Sequence, residues 1–223
     1  MSITNKTMML FDLDGTLVDT APDFRNSVNY MLEQYGEQPV TLEDIRDWVG
    51  YGGRELIKRT MLAKDIQFDD AKLDKMLDLF LSHYTQNIDD ESKLYDSVKE
   101  TLVFLKNNNV RLSVCTNKDE TLSKILLAKL EVLDLFDYLV GAHTFPKRKP
   151  DPMPILKTLE FFGAEKNDAV MVGDSITDLK AARGAGIPIV LVDYGYTDNK
   201  DIYNNADLVI SNFSYLKELI RSS

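Results

Sequence analysis

The stretch MMLFDLDGT, residues 8–16, decides the reading of this chain. Met8-Met9-Leu10-Phe11 runs without a polar interruption, as a strand buried on both faces of a parallel sheet does. The run stops at Asp12, and Leu13, a second acid Asp14 and the turn-prone pair Gly15-Thr16 follow. A charge buried without a partner neutralises or finds a cation. Two acids one residue apart therefore mark either an exposed strand end or a place that holds something positive.

Similar apolar runs recur at 112–115, 138–140, 169–172, 189–192 and 208–210. From residue 95 onward they alternate with helical patterns. Val98, Leu102 and Leu105 share a helical face, as do Leu122, Ile125, Leu126 and Leu130. Ile155, Leu156, Leu159 and Phe162 repeat the spacing, and Leu179 with Ala182 begins another. This alternation predicts an α/β fold: a doubly wound parallel sheet with right-handed crossovers. Asn107-Asn108-Asn109 reads as a helix-ending turn.

One interval breaks the pattern. Residues 20–92 read as helical throughout, with Phe24, Val28, Met31 and Leu32 on one face and Leu73, Met76, Leu77, Phe80 and Leu81 on another. The block is too long for a simple crossover. It predicts an inserted all-helical cap domain over 19–92, hinged near 18–22 and 91–95, on a core domain formed by 1–18 and 93–223.

The chain has 223 residues, 44% of them hydrophobic, and a formal net charge of −10. The apolar share suffices for a real core, and the negative charge argues against nucleic acid as a partner. A single cysteine, Cys115, excludes an internal disulfide framework and fits a reducing compartment. No basic-then-apolar leader precedes Asp12, and no segment has the length to cross a bilayer. The expectation is a cytoplasmic protein, monomer or homodimer, with neither membrane nor nucleic acid among its partners.

Open α/β sheets bind ligands at the carboxyl ends of their strands. Asp12 and Asp14 follow the first strand; Thr116, Asn117 and Lys118 follow the second. The run Lys147-Arg148-Lys149-Pro150 follows the third, and Gly173, Asp174, Ser175 and Asp178 follow the fourth. If these ends meet, several carboxylates share one crevice. Two like charges about 4 Å apart cost roughly 4 kcal/mol at an effective dielectric near 20. A hard cation relieves this, and all-oxygen donors point to Mg²⁺ with a substrate phosphate. Asp12 could then attack phosphorus. Asp14, about 6.6 Å further along an extended chain, stands on the same side for general acid and base work. Thr116 and backbone N–H groups near Gly15 and Thr16 could hold phosphate oxygens, and Lys149 could balance transition-state charge.

The set FDLDGT, VCTN, KRKPDP and VGDSITD resembles the four motifs, in order, of the haloacid dehalogenase superfamily of phosphatases. The resemblance covers essentially the whole chain, the helical insertion included. It implies Asp12 as nucleophile, Asp14 as general acid/base, and Thr116 and Lys149 on the phosphate. It further implies Mg²⁺ on Asp12, the Asp14 backbone carbonyl and Asp174, with Asp178 supporting that site from behind. Relatives that dehalogenate lack an acid at the position of Asp14, which speaks against dehalogenation. The pieces DWVGYGGREL, KRKPDPMP and VGDSITDLKAARGAGIPIVLVDYGYT resemble the bacterial phosphoglycolate phosphatase branch. Asp96-Ser97 stands where that branch usually carries Pro-Gly, and the cap looks shorter than in some members.

The expected substrate is thus a small phosphorylated metabolite, 2-phosphoglycolate first. Its carboxylate calls for a second cation, for which Arg54 on the cap and Lys118 beside Thr116 are the candidates, with Asn117 and Gly53 as further substrate contacts. The Gly50, Gly52, Gly53 cluster is not a phosphate-binding P-loop, since no Gly-Lys-Ser/Thr follows; it reads as a turn between cap helices that faces the site. Simpler readings cover Asp19 and Asp23 as hinge and helix-capping residues, Thr116 as an N-cap, His83 and His143 as structural or solvated, and Tyr194 and Tyr196 as packing. A sugar-phosphate phosphatase or β-phosphoglucomutase of the same fold is the alternative. A phosphoaspartate signalling switch is the alternative of another class, opposed by Asp14 and by the cap.

Overall fold

The computed structural model describes residues 3–197 and 199–221. In chain order the elements are β1 (Met8–Phe11), β2 (Val18–Asp19), α1 (Ala21–Gln34), α2 (Leu42–Trp48), α3 (Gly53–Ala63), α4 (Asp70–Gln86) and β3 (Lys93–Leu94). They continue with α5 (Val98–Asn107), β4 (Arg111–Cys115), α6 (Glu120–Lys129), β5 (Tyr138–Val140) and α7 (Met153–Phe162). The last are β6 (Ala169–Gly173), α8 (Ile176–Ala185), β7 (Ile189–Val192), β8 (Leu208–Ile210) and α9 (Glu218–Arg221).

Six strands form one sheet in the order β5-β4-β1-β6-β7-β8, parallel at every pairing. The first strand is central and the chain winds outward from it in both directions. A topological switch point therefore lies beside β1, where ligand crevices form in such sheets. Register sets the site: Phe11 stands opposite Val114 on one side and Val172 on the other. Asp12, Thr116 and Asp174 consequently leave three adjacent strands at nearly one level. Met9 and Phe11 pack into one layer of helices, Met8 and Leu10 into the other, so β1 is apolar at all four positions because both its faces are covered.

Four helices, α1 to α4, occupy the interval between β1 and the next strand of the main sheet. They are separate rather than continuous. Thr41 and Asp44 close a capping box at the start of α2, and Asp69 caps α4 through the N–H of Lys72. Phe24, Val28, Met31 and Leu32 of α1 share a buried core with Met76, Phe80 and Tyr84 of α4, the faces expected from their spacing.

The chain passes into and out of this helical block through a two-stranded antiparallel ribbon, in which Val18 pairs with Leu94 and Asp19 with Lys93. Asp23 locks the ribbon: its carboxylate accepts from the N–H of Glu91 at 3.0 Å, the N–H of Ser92 at 2.8 Å and the Ser92 hydroxyl at 2.6 Å. Ser97, where the resemblance led us to note a missing glycine, sits at φ +65°, in the left-handed region that glycine occupies at no steric cost. Among the described residues no helix is long and apolar enough to cross a membrane.

Candidate active site

Asp12 leaves the carboxyl end of β1 and is buried, as are Asp14, Thr116, Asn117, Lys118, Lys149, Asp174 and Asp178. The sheet edge has therefore drawn four acids and two lysines out of water. Their pairing explains how that is tolerated. The Lys149 ammonium lies 2.9 Å from Asp12 Oδ1 and 2.6 Å from Asp178 Oδ1. Burial alone would lower its pKa, but the Asp12 and Asp178 charges outweigh that and hold it above its ordinary value.

The acids remain in excess. Burial, reinforced by the charge of Asp178, pushes the Asp12 carboxyl up to about 7. The same two causes push Asp174 up to about 8. Asp12, Asp174 and Asp178 each offer an oxygen within 4.8 Å of the others. A buried all-oxygen donor set with surplus negative charge fits a hard divalent cation.

The three acids are not equivalent in their bonding. Asp178 already holds Lys149 with one oxygen, and with the other it accepts from the Ser175 N–H at 3.0 Å and the Ser175 hydroxyl at 2.6 Å. This closes the capping box of α8 and leaves Asp178 a support for its neighbours. Asp174 accepts from the Thr16 hydroxyl and from the Tyr196 N–H, both at 2.9 Å. Asp12 Oδ1 also accepts from the Leu13 N–H at 2.7 Å.

Asp14 faces a different set. Its Oδ1 accepts from the Thr20 hydroxyl at 2.9 Å and the Lys118 ammonium at 3.3 Å. Lys118 also donates to the Tyr84 hydroxyl at 2.6 Å, and its nitrogen stands 4.2 Å from the Phe24 ring centre and 4.5 Å from that of Tyr84. The lysine expected to read substrate is thus held by Asp14 and boxed by aromatic rings of α1 and α4.

Other expected contacts are also used differently. The Gly15 N–H donates to the Val18 carbonyl and the Thr16 N–H to that of Leu13. The Thr16 hydroxyl serves Asp174, so Gly15 and Thr16 shape the loop rather than present free donors. Gly15, at φ +85°, has no room for a side chain: a Cβ would lie 2.5 Å from Asp174 Oδ2. The Arg54 guanidinium is engaged by Asp70 and Asp74 of α4. Thr116 does not cap α6; Asp119 does, accepting from the N–H groups of Thr121 and Leu122. The Thr116 hydroxyl accepts from the Lys118 N–H at 3.1 Å.

Above this edge opens a cavity of about 580 Å³. Its floor is Asp12, Asp14 and Thr116 with Asn117 and Lys118; its far wall is apolar, with Leu77, Phe80 and Leu81 of α4 facing Leu122 and Ile125 of α6. Gly50, Gly52, Gly53 and Arg54 line it too, so the turn between α2 and α3 does face the site. Asn117 ties that turn to the core by donating to the carbonyls of Gly50 and Lys149, each at 2.9 Å.

Sequence reasoning did not foresee three participants. Phe24 read only as a helix-face apolar residue and Tyr84 was not singled out, since nothing in periodicity separates a core tyrosine from one that grips a lysine. Tyr196 read as packing, yet its N–H holds Asp174 while its hydroxyl accepts from the N–H groups of Thr20 and Ala21 and donates to Asp19. The signal was present in part: Gly195 beside it has no space for a Cβ, which would lie 2.3 Å from that of Asp174. Cys115 is buried, and its burial pushes the thiol up to about 12, which makes it an inert core residue.

Comparison with known proteins adds to this geometry. A family model described as haloacid dehalogenase-like hydrolase matches residues 9–192. A phosphoglycolate phosphatase of Mesorhizobium japonicum is 41% identical over 212 residues, covering 95% of this chain and 93% of that protein. One from Agrobacterium fabrum is 40% identical over 209 residues, covering 94% and 90% respectively. Among solved structures, that of a predicted phosphoglycolate phosphatase from Haemophilus somnus superposes with a TM-score of 0.93 at 29% identity, over 97% of this chain and 98% of that one.

Proposed function

Since this chain belongs to the haloacid dehalogenase-like hydrolase family and is a phosphatase, we propose that it hydrolyses a small phosphomonoester through an aspartyl phosphate on Asp12, with 2-phosphoglycolate as substrate. One observation carries the chemistry: a buried cluster of Asp12, Asp174 and Asp178 around Lys149, open to a cavity that also holds Asp14 and Thr116. The substrate rests on the names of the relatives that are about 40% identical.

Asp12 attacks phosphorus with its carboxylate, and the ester oxygen leaves with a proton from Asp14. Thr20 and Lys118 fix the orientation of Asp14 by donating to the same oxygen. Water then attacks the aspartyl phosphate, Asp14 takes its proton, and Asp12 is regenerated as inorganic phosphate departs. Thr116 and Lys149 hold the phosphoryl oxygens, and the Lys149 charge favours the ionised, attacking form of Asp12 against the effect of burial and Asp178. Asp12, the Asp14 carbonyl and Asp174 would hold Mg²⁺, with Asp178 behind them. Bound there, the cation supplies charge neutralisation to the acids and the phosphoryl group. The helices over 19–92 form the proposed cap, which keeps bulk water from the attacked phosphorus when closed.

The test is phosphate release from 2-phosphoglycolate, hexose phosphates, nucleoside monophosphates and pyrophosphate, with and without Mg²⁺. The expected result is a Mg²⁺-dependent preference for 2-phosphoglycolate that Asp12→Asn abolishes. Broad, weak turnover that still needs Asp12 keeps the mechanism and removes the substrate. No turnover of any ester removes the hydrolytic mechanism.

A further inference from the structure

Cations are scarce around the cavity, and most are already engaged. Lys149 is shared by Asp12 and Asp178, Lys118 by Asp14 and Tyr84, and Arg54 by Asp70 and Asp74. Each of the three already has its charge balanced by at least one carboxylate, and Lys149 is committed to the phosphoryl group. Arg148 differs. It lines the same cavity as Asp12, Asp14 and Thr116, yet among the described residues its guanidinium has no acid, carbonyl or ring partner. It also borders a smaller recess of about 240 Å³ with Arg54 and Asp70, where Asp70 pairs with Arg54 instead.

The position of Arg148 is prepared by the turn between α2 and α3. Gly52 has φ +87°, and a Cβ on it would come within 2.9 Å of Arg148 Nη1 and 3.2 Å of the Asn117 carbonyl oxygen. Glycine there lets the guanidinium lie against bare backbone at the cavity wall. A free guanidinium in that position presents a planar fork of donors, which matches a carboxylate bidentately where an ammonium cannot. Arg148 is itself exposed, so its guanidinium is open to an anion entering the cavity, whose apolar wall of Leu122, Ile125 and Phe80 offers that anion no other charge.

We propose that Arg148 forms the subsite for the carboxylate of a phosphorylated hydroxy acid, a role that rests on the substrate reading above. Arg148 and Lys149 are consecutive on the loop after β5, so phosphate and carboxylate are recognised from one segment outside the helical block. Specificity for an acid-bearing ester then belongs to the core, and Arg54 of the helical block has no part in it.

The experiment compares 2-phosphoglycolate with ethyl phosphate, which lacks the carboxylate, in the wild type, Arg148→Ala and Arg148→Lys. The quantity read is the ratio of kcat/KM for the two esters. The expected result is a wild-type preference for the acid-bearing ester that falls by about tenfold or more in Arg148→Ala, through KM, and by less in Arg148→Lys, which keeps charge but loses the fork. Thermal melts of the variants verify folding. A preference retained in Arg148→Ala overturns the Arg148 subsite while leaving the substrate reading intact. Absence of any preference in the wild type overturns both.

Discussion

Asp12 and Asp174 show how far a site can move its own residues from their ordinary behaviour. With carboxyls pushed up to about 7 and about 8, both hold protons in the metal-free fold at pH values where the unfolded chain has released them. The native state then binds more protons than the unfolded one between about pH 4 and 8, so stability falls as pH rises through that window. In EDTA the melting temperature should therefore drop between pH 5 and pH 8 by more than the rest of the protein accounts for. Added Mg²⁺ should abolish that drop, because it favours the ionised acids, and Asp174→Asn should be insensitive to Mg²⁺. Differential scanning fluorimetry across pH reads all three outcomes. An Mg²⁺ response that survives Asp174→Asn would remove Asp174 from the metal site.

At the scale of elements, the ribbon of β2 and β3 joins the helical block to the sheet with only two pairs of residues. It depends on side chains for its strength. Asp23, buried at the start of α1, satisfies three donors of the returning strand, and Tyr196 reaches from the core to accept from the first N–H groups of that helix. Removing the Asp23 carboxylate orphans buried donors, which costs about 2–3 kcal/mol. For a chain of this size, Asp23→Ala should lower the melting temperature by about 5–10 °C. The loss should also speed hydrogen exchange at Glu91 and Ser92, and unchanged protection there would deny the ribbon its anchor. Residue periodicity foretold the helices at this scale, but not the anchoring: Asp23 and Ser92 are distant in sequence, and Tyr196 lies beyond both.

For the whole molecule, the site is divided between two layers. The reacting acids sit on the sheet edge, while Tyr84, Phe24 and the glycine turn approach from the helices above. Trp48, the single tryptophan, ends α2 just before that turn and is half-buried. If the helical block closes on a phosphoryl group, its emission should change when Mg²⁺ and orthovanadate are added together. The same addition to Asp12→Asn should leave it unchanged; a constant emission in the wild type would argue for a cap that does not rearrange. What the sequence by itself determined was the sheet, the helical insertion and the acids, threonine and lysine at the strand ends. These are written locally: apolar runs mark strands buried on both faces, helical spacing marks the packed faces, and charge at a strand end contradicts burial unless something balances it. The balance itself was decided only by the tertiary structure. Which cation meets which acid depends on strand register and on loops far apart in the chain, so Lys118 and Arg54, legible as positive charges, were neutralised by Asp14 and by Asp70 and Asp74, and Arg148 was left free. A pairing of charges is a property of distance in space, and distance in space is set by packing rather than by position along the chain.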